Sequence, residues 1–274
     1  MRPPIDGARA LVTGASSGIG REFAQQLAPR VRSLVLVARR VERLEDLKRE
    51  LQEKRPQLEV RLDPVDLSDR AATEAFLERL GPVDLVVNCA GLGDVGLFDG
   101  SEWKKIEQML RVNVEALTLV CHRVLPGMIE RRSGGILNVS SGFGLHFMPG
   151  VSVYAASKHY VTGLTESLRA ELAGTGVVIS QLCPGPVKTE FEEVAVSIPG
   201  FEIPAIFEIS AETCVRSGLR GYAKGRALVV PGLLMKVAVP LGLVFPRPLR
   251  RWFLGLIARR YRRRLRPAPG ASTL

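Results

Sequence analysis

The 274-residue sequence has little of what builds metal centres or covalent cross-links. It holds three scattered histidines, and its four cysteines, Cys89, Cys121, Cys183 and Cys214, form no CxxC pair and lie among aliphatic residues. That pattern predicts buried, reduced thiols in a cytoplasmic protein and no metal site. An apolar leader is also missing. Met1, Arg2, Pro3, Pro4 and Asp6 run straight into a strand pattern, so export is not expected. The stretch 227–245 carries only one charge, Lys236, but Pro231 and Pro240 interrupt it, which argues against a membrane span. Acidic residues are absent from Arg226 to Leu274, where eleven residues are Lys or Arg. Without those eleven, 27 basic residues face 28 acidic ones, so the net charge of +10 belongs to the tail alone. A nucleic-acid surface is not expected, because the rest of the chain is not basic and no recognition motif is present.

The first two thirds alternate β-branched runs with helical-period stretches, as repeated β-α units on a parallel sheet require. The predicted strands are Arg9–Val12, Ser33–Ala38, Glu59–Asp63, Asp84–Cys89, Gly135–Val139 and Val177–Leu182, and Ala227–Val230 would close the sheet as a seventh. Helices are predicted at Ile19–Leu27, Val41–Lys54, Asp69–Leu80, Trp103–Arg132 and Ser152–Ala173. Uninterrupted apolar strands such as Leu34–Val37 indicate helices on both faces. The expected architecture is a Rossmann-type, doubly wound α/β sheet of about seven strands. It comprises a dinucleotide-binding catalytic domain over residues 1–230 and a helical, basic and apolar extension over residues 231–274.

The first strand runs into Thr13-Gly14-Ala15-Ser16-Ser17-Gly18-Ile19-Gly20 and then into a helix. Glycines at 14, 18 and 20 let the backbone turn tightly and approach a pyrophosphate, which the open N–H groups and the positive end of the helix favour. The loop after the second strand lies beside the adenosine ribose, and an acidic residue there would repel a 2′-phosphate. This chain has Ala38-Arg39-Arg40 instead, and the Arg39 guanidinium can pair with that phosphate, favouring NADP over NAD. Asp66 and Leu67, after the third strand, are candidates for the adenine, with Asp69 the better helix cap.

Tyr154-Ala155-Ala156-Ser157-Lys158 places a phenol and an ammonium one turn apart on one helix face. Ser141 lies thirteen residues upstream at the end of a strand, and Asn113 lies inside a long helix. With Asn88-Cys89-Ala90-Gly91, Asn138-Val139-Ser140-Ser141 and Pro184-Gly185-Pro186-Val187-x-Thr189, these segments fall in an order that resembles the short-chain dehydrogenase/reductase family across residues 9 to 190. The resemblance implies a catalytic tetrad of Asn113, Ser141, Tyr154 and Lys158. It also implies cofactor contacts from Gly14, Ser16, Ser17, Gly18, Ile19, Gly20, Arg39, Asp66, Leu67, Asn88, Ala90, Gly91, Tyr154, Lys158, Pro184, Gly185, Val187 and Thr189. Many NADP-preferring members of that family carry a basic residue where this chain has Ser17. A homodimer or homotetramer through the Asn113 and Tyr154 helices is a further implication. In the mechanism implied, Tyr154 exchanges a proton with the substrate oxygen, Ser141 donates to that oxygen and Asn113 holds a water beside Lys158. Acting both ways near neutral pH requires the tyrosine pKa to fall by about 3 units from about 10, with Lys158 and the oxidised nicotinamide as the expected sources.

A substrate lid is expected at about 189–221, where Phe191, Val194, Val196, Ile198, Phe201, Ile203, Ile206, Phe207 and Ile209 suit a lipophilic ketone better than a sugar. Within Pro248–Arg266, Leu249, Phe253, Ile257, Tyr261 and Leu265 recur every fourth residue, beside Trp252 and Leu256 and among arginines. That combination suits a helix lying on an anionic membrane surface, the alternative being a helix packed on its own domain or on a dimer partner. The other readings are a soluble dehydrogenase of a small alcohol or sugar and a non-catalytic NADP-binding sensor.

Overall fold

The computed structural model describes residues 3–191, 206, 208–244 and 246–265. The strands β1 (Arg9–Thr13), β2 (Ser33–Ala38), β3 (Glu59–Pro64), β4 (Leu85–Asn88), β5 (Gly134–Val139) and β6 (Val177–Leu182) follow the predicted runs closely. Two short strands, β7 (Val187–Lys188) and β8 (Ile209–Ser210), pair with each other, and β9 (Leu228–Val229) completes the main sheet. Among the described residues the sheet is parallel in the order β3-β2-β1-β4-β5-β6-β9. The order of strand addition reverses between β1 and β4. This is the switch point outside which ligands bind in such sheets, and the glycine-rich turn lies there.

Both faces of the sheet are covered, as the unbroken apolar strands required. Alternate residues of β1 and β2 fall into two separate cores, Ala10, Val12, Leu34 and Leu36 on one side and Leu11, Val35 and Val37 on the other. Each such valine or leucine, sealed from water, stabilises the fold by about 1.5–3 kcal/mol. Helices α1 (Gly18–Leu27), α2 (Val41–Lys54), α3 (Arg70–Glu78) and α6 (Ser152–Glu171) lie where expected. Asp69 caps α3 through the Ala72 N–H at 3.1 Å.

Three expectations are corrected. The single helix expected over Trp103–Arg132 is α4 (Trp103–Leu110), a π turn (Arg111–Ala116) and α5 (Leu117–Glu130). The break falls on Asn113, whose amide is held by three hydrogen bonds. The lid expected over 189–221 ends sooner, because α7 (Ala211–Ala223) buries Cys214, Val215, Leu219 and Tyr222 in the main core. Val194, Val196, Ile198, Phe201, Ile203 and Phe207 lie outside the described residues.

The extension forms α8 (Leu233–Val244) and α9 (Arg247–Leu265). The apolar stripe expected on α9 does not keep to one face. A four-residue step advances about 40° round a helix, so Leu249 and Phe253 are exposed while Ile257 and Tyr261 turn half-buried toward the protein. No helix among the described residues is long and apolar enough to cross a membrane.

Candidate active site

The end of β1 is tied to the loop after β4 by Thr13, whose Oγ1 accepts from the Cys89 and Ala90 N–H groups at 3.0 Å each. The glycine turn is folded too tightly for side chains. Gly14 has φ of +70°, and a Cβ at Gly20 would come within 2.2 Å of the Gly14 carbonyl oxygen. Ser17 occupies the N-cap of α1 yet makes no side-chain cap bond. The first-turn N–H groups of α1, Ile19 and Gly20 among them, are thus left for an anion. Thr189 closes against Gly18, where a Cβ would meet its side chain at 3.2 Å. These residues fit a dinucleotide.

Arginines border this turn in an arrangement that the spacing alone did not disclose. Arg40 donates to Ser16 Oγ at 3.3 Å and to Ser17 Oγ at 2.8 Å, and it pairs with Glu190 at 3.2 Å. Arg43 reaches the same carboxylate at 2.5 and 2.7 Å, and the two guanidiniums hold the Glu190 carboxyl below the usual range. Arg39 is exposed and makes no hydrogen bond or ion pair among the described residues, so its guanidinium is open to a ligand. Asp66 is half-buried and accepts from Ser68 N and Oγ at 2.9 and 2.7 Å. Leu67 is buried in the core that Ala90 packs against. Asn88 is sealed in the interior, where its amide donates to Asn138 Oδ1 at 2.9 Å and to Cys121 Sγ at 3.4 Å. Only its backbone is left to face a cofactor.

The two serines at the end of β5 take different partners. Ser140 Oγ donates to the Lys158 carbonyl at 3.0 Å and is committed to α6. Ser141 caps a short 3-10 turn (Gly142–Gly144), accepts from the Phe143 N–H at 3.2 Å and lies beside the Tyr154 phenol. One turn along α6, the Lys158 ammonium lies 5.8 Å from the Tyr154 ring centroid and donates to the Val139 carbonyl at 2.9 Å. Asn113 and Lys158 converge on Gly91, where a Cβ would stand 3.4 Å from both Asn113 Oδ1 and Lys158 Nζ. Asn113 spends its amide on protein, accepting from Leu92 N at 2.8 Å and donating to Leu92 O at 2.9 Å and Ser157 Oγ at 3.0 Å. Its side chain therefore clamps the β4 loop to α6, and the π turn is what aims it there.

Burial pushes Tyr154 up to about 12, against the opposing Ser141 hydrogen bond, and burial brings Lys158 down from 10.5 to about 8. Desolvation is the larger of the two influences on the phenol, so it stays above its ordinary value. Burial likewise raises the Cys89 thiol to about 12 and Cys183 to about 11, so both are neutral near pH 7.

Apolar rings flank the phenol. Phe143 meets Tyr154 edge to face at 6.3 Å between centroids, and Phe191 lies tilted at 5.8 Å. Val95, Val151 and Ala155 form a small core that Phe143, Met148 and Tyr154 pack against. Sequence reasoning placed Phe191 in the lid but missed Phe143, although it stands only two residues beyond Ser141. The loop after β6 is locked to the serine loop by the Gly142 N–H donating to Pro184 O at 2.7 Å, with Val187 buried beyond it and Gly185 between them.

The glycine turn, the Ser141, Tyr154 and Lys158 cluster and the sheet order coincide with a match of residues 8–197 to the short chain dehydrogenase family profile. The chain belongs to that family. It is 39% identical over 189 residues to dehydrogenase/reductase SDR family member 7 of Homo sapiens, covering 66% of this chain but only 56% of the human protein. Among solved structures, a short-chain dehydrogenase from Sphingobium yanoikuyae in complex with NADPH superposes with a TM-score of 0.75 at 27% identity, covering 96% of this chain and 98% of that one. The bulky-bulky ketone specific alcohol dehydrogenase from Comamonas testosteroni gives 0.72 at 25% identity, covering 97% of each chain. A Burkholderia phymatum member in complex with NAD gives 0.73 at 27% identity, covering 86% of this chain and 93% of that one. Family likeness therefore leaves both nicotinamide cofactors open.

Proposed function

We propose that this short-chain dehydrogenase reduces lipophilic ketones to secondary alcohols with NADPH, and catalyses the reverse with NADP+, using Tyr154 as the proton donor and acceptor. The observation that carries this reading is the Tyr154 phenol set beside Ser141 and flanked by Phe143 and Phe191. A polar substrate would need donors and acceptors where these rings stand. The bound cofactor supplies or accepts hydride at the nicotinamide. As negative charge grows on the substrate oxygen, the Tyr154 O–H gives it a proton and the Ser141 O–H donates a hydrogen bond. Lys158 holds positive charge near the phenol, and Asn113 keeps the loop beside Lys158 in place. The bulky-ketone specificity of the Comamonas testosteroni neighbour supports the substrate class. Following NADPH consumption across ketones of rising size tests it.

Within the same reading, Arg39 selects NADP by pairing with the 2′-phosphate, while Arg40 orders the pyrophosphate turn through Ser16 and Ser17. The two roles give different outcomes. Arg39→Asp should weaken NADPH binding about 10- to 100-fold, the strength of one or two charge-assisted hydrogen bonds, and leave NADH binding nearly unchanged. Arg40→Ala should weaken both cofactors together. Titrating cofactor fluorescence in each variant distinguishes them, and parent protein binding NADH as tightly as NADPH would refute the assignment.

The extension completes the proposal. Leu233, Val237, Leu241 and Val244 of α8 and Leu249, Trp252, Phe253 and Leu256 of α9 are exposed beside Arg251, Arg259, Arg260 and Arg263. Apolar side chains bordered by arginines suit an anionic bilayer surface, where each basic residue contributes about 1 kcal/mol. Sedimentation with vesicles should rise with anionic lipid content and fall with salt, since the screening length shrinks from about 10 Å at 0.1 M to about 3 Å at 1 M. Full-length protein that ignores anionic vesicles at low salt would assign this face to assembly.

A further inference from the structure

The inward face of α8 lies against the loops that carry the chemistry. Met235 is seated over two glycines, so close that a Cβ at Gly185 would meet its Cγ, Sδ and Cε at 2.7–3.0 Å and one at Gly142 would meet its Cε at 3.2 Å. Gly142 directly follows Ser141, and Gly185 directly follows the Pro184 whose carbonyl receives the Gly142 N–H. Met235 thus fills the seam between the serine loop and the loop after β6. Further along α8, Val239 is buried, with its main chain beside His146, five residues beyond Ser141.

The next helix is fastened to the same rim of the sheet. Arg250 of α9 stacks over the Phe147 ring at 5.1 Å, and Arg262 makes two hydrogen bonds to Asp99 at 2.8 and 3.1 Å. Asp99 lies in the loop after β4, and Phe147 in the loop after β5. An extension that served only as a surface anchor would have no need of contacts on three separate active-site loops. Lone exposed ion pairs contribute little. The seating of Met235 and Val239 is apolar and therefore sets the position of α8.

From these contacts we infer that α8 is the far wall of the substrate cleft, supplied by the chain's own extension, and that Met235 sets the bulk of the carbonyl compound admitted. The inference rests on the ketone-reductase reading above and deepens it. Methionine suits the position, because its unbranched thioether can change rotamer and follow substrates of different outline. The two glycines let it come close without a competing side chain. The wall is also consistent with the exposed side of α8, since the residues that face inward, Met235 and Val239, alternate at helical spacing with the outward Leu233 and Val237.

The test is a ladder of ketones of one chemistry and rising bulk, cyclohexanone, acetophenone and benzophenone, run with NADPH on the full-length enzyme. In Met235→Trp the ratio of kcat/KM for benzophenone over cyclohexanone should fall by about tenfold or more, the discrimination that a filled apolar pocket yields. In Met235→Ala the same ratio should rise. NADPH affinity and the melting temperature report whether each variant is folded with its cofactor site intact. Ratios that stay constant in both folded variants, or that move together in one direction, overturn the wall. If the parent reduces no ketone, the reductase reading fails, and the ladder is repeated with the matching alcohols and NADP+. Alcohol ratios sorted by residue 235 would keep the wall without that reading, and inactivity on both ladders would overturn both.

Discussion

Tyr154→Phe is expected to bind NADPH as the parent does, melt within a few degrees of it and lose turnover by about 10²- to 10⁴-fold, the range that a positioned proton donor contributes. The ring remains to pack against Phe143 and Phe191, so the small core it joins is kept. Only the hydroxyl is removed, and with it the proton that the substrate oxygen needs. The pH profile adds a readout that a packing role would not move. With burial holding the phenol near 12, it is protonated through the neutral range, ready to donate in reduction. Alcohol oxidation requires the deprotonated form, so its kcat/KM should climb as pH rises above neutrality in the parent and lose that slope in Tyr154→Phe. Turnover in the variant comparable to the parent's would remove Tyr154 from the chemistry.

Lys158→Met should abolish useful activity and yet raise stability at pH 7. Burial lowers the Lys158 pKa from 10.5 to about 8, so the native state carries an ammonium it would rather shed. A shift of that size is a destabilisation of about 3 kcal/mol. The sign follows from which state holds the proton. Below pH 8 both native and unfolded chains are protonated, and the penalty is present in full. Between about 8 and 10.5 the native state releases its proton while the unfolded chain keeps it, so native stability rises with pH across that window. Methionine removes the charge and forfeits the 2.9 Å hydrogen bond to the Val139 carbonyl, a loss of about 1 kcal/mol. The net gain of about 2 kcal/mol corresponds to a melting temperature about 4–8 °C higher for a chain of this size. The difference between variant and parent should shrink as the pH approaches 10. A variant that melts below the parent at pH 7 would mean that the ammonium is stabilised by its surroundings.

What the sequence disclosed is what neighbours along the chain decide. The glycine turn could be read because Gly14, Gly18 and Gly20 lie between one strand and one helix, and Tyr154 with Lys158 because four residues make one helical turn. Ser141 was separable from Ser140 by spacing, and the structure gives the physical counterpart, since Ser140 is committed to the Lys158 carbonyl. The unread parts depend on residues far apart in sequence. Glu190 reaches Arg40 across 150 residues, and no local pattern announces that pair. Met235 meets Gly142 only because the extension folds back over the sheet. The π turn at Asn113 was also hidden. Its residues interrupt no helical periodicity, and what marks the turn is a set of hydrogen bonds from Asn113 to Leu92 and Ser157. The phenol's raised pKa had no sequence signature either, because it comes from desolvation in the assembled site.

The most direct test of the central claim mixes the full-length enzyme with NADPH and a bulky aryl ketone and measures, in one reaction, loss of reduced nicotinamide and appearance of the secondary alcohol. The account predicts one alcohol formed for each NADPH consumed, with Tyr154→Phe nearly silent under the same conditions. Tight NADPH binding with no alcohol formed from any ketone would contradict it.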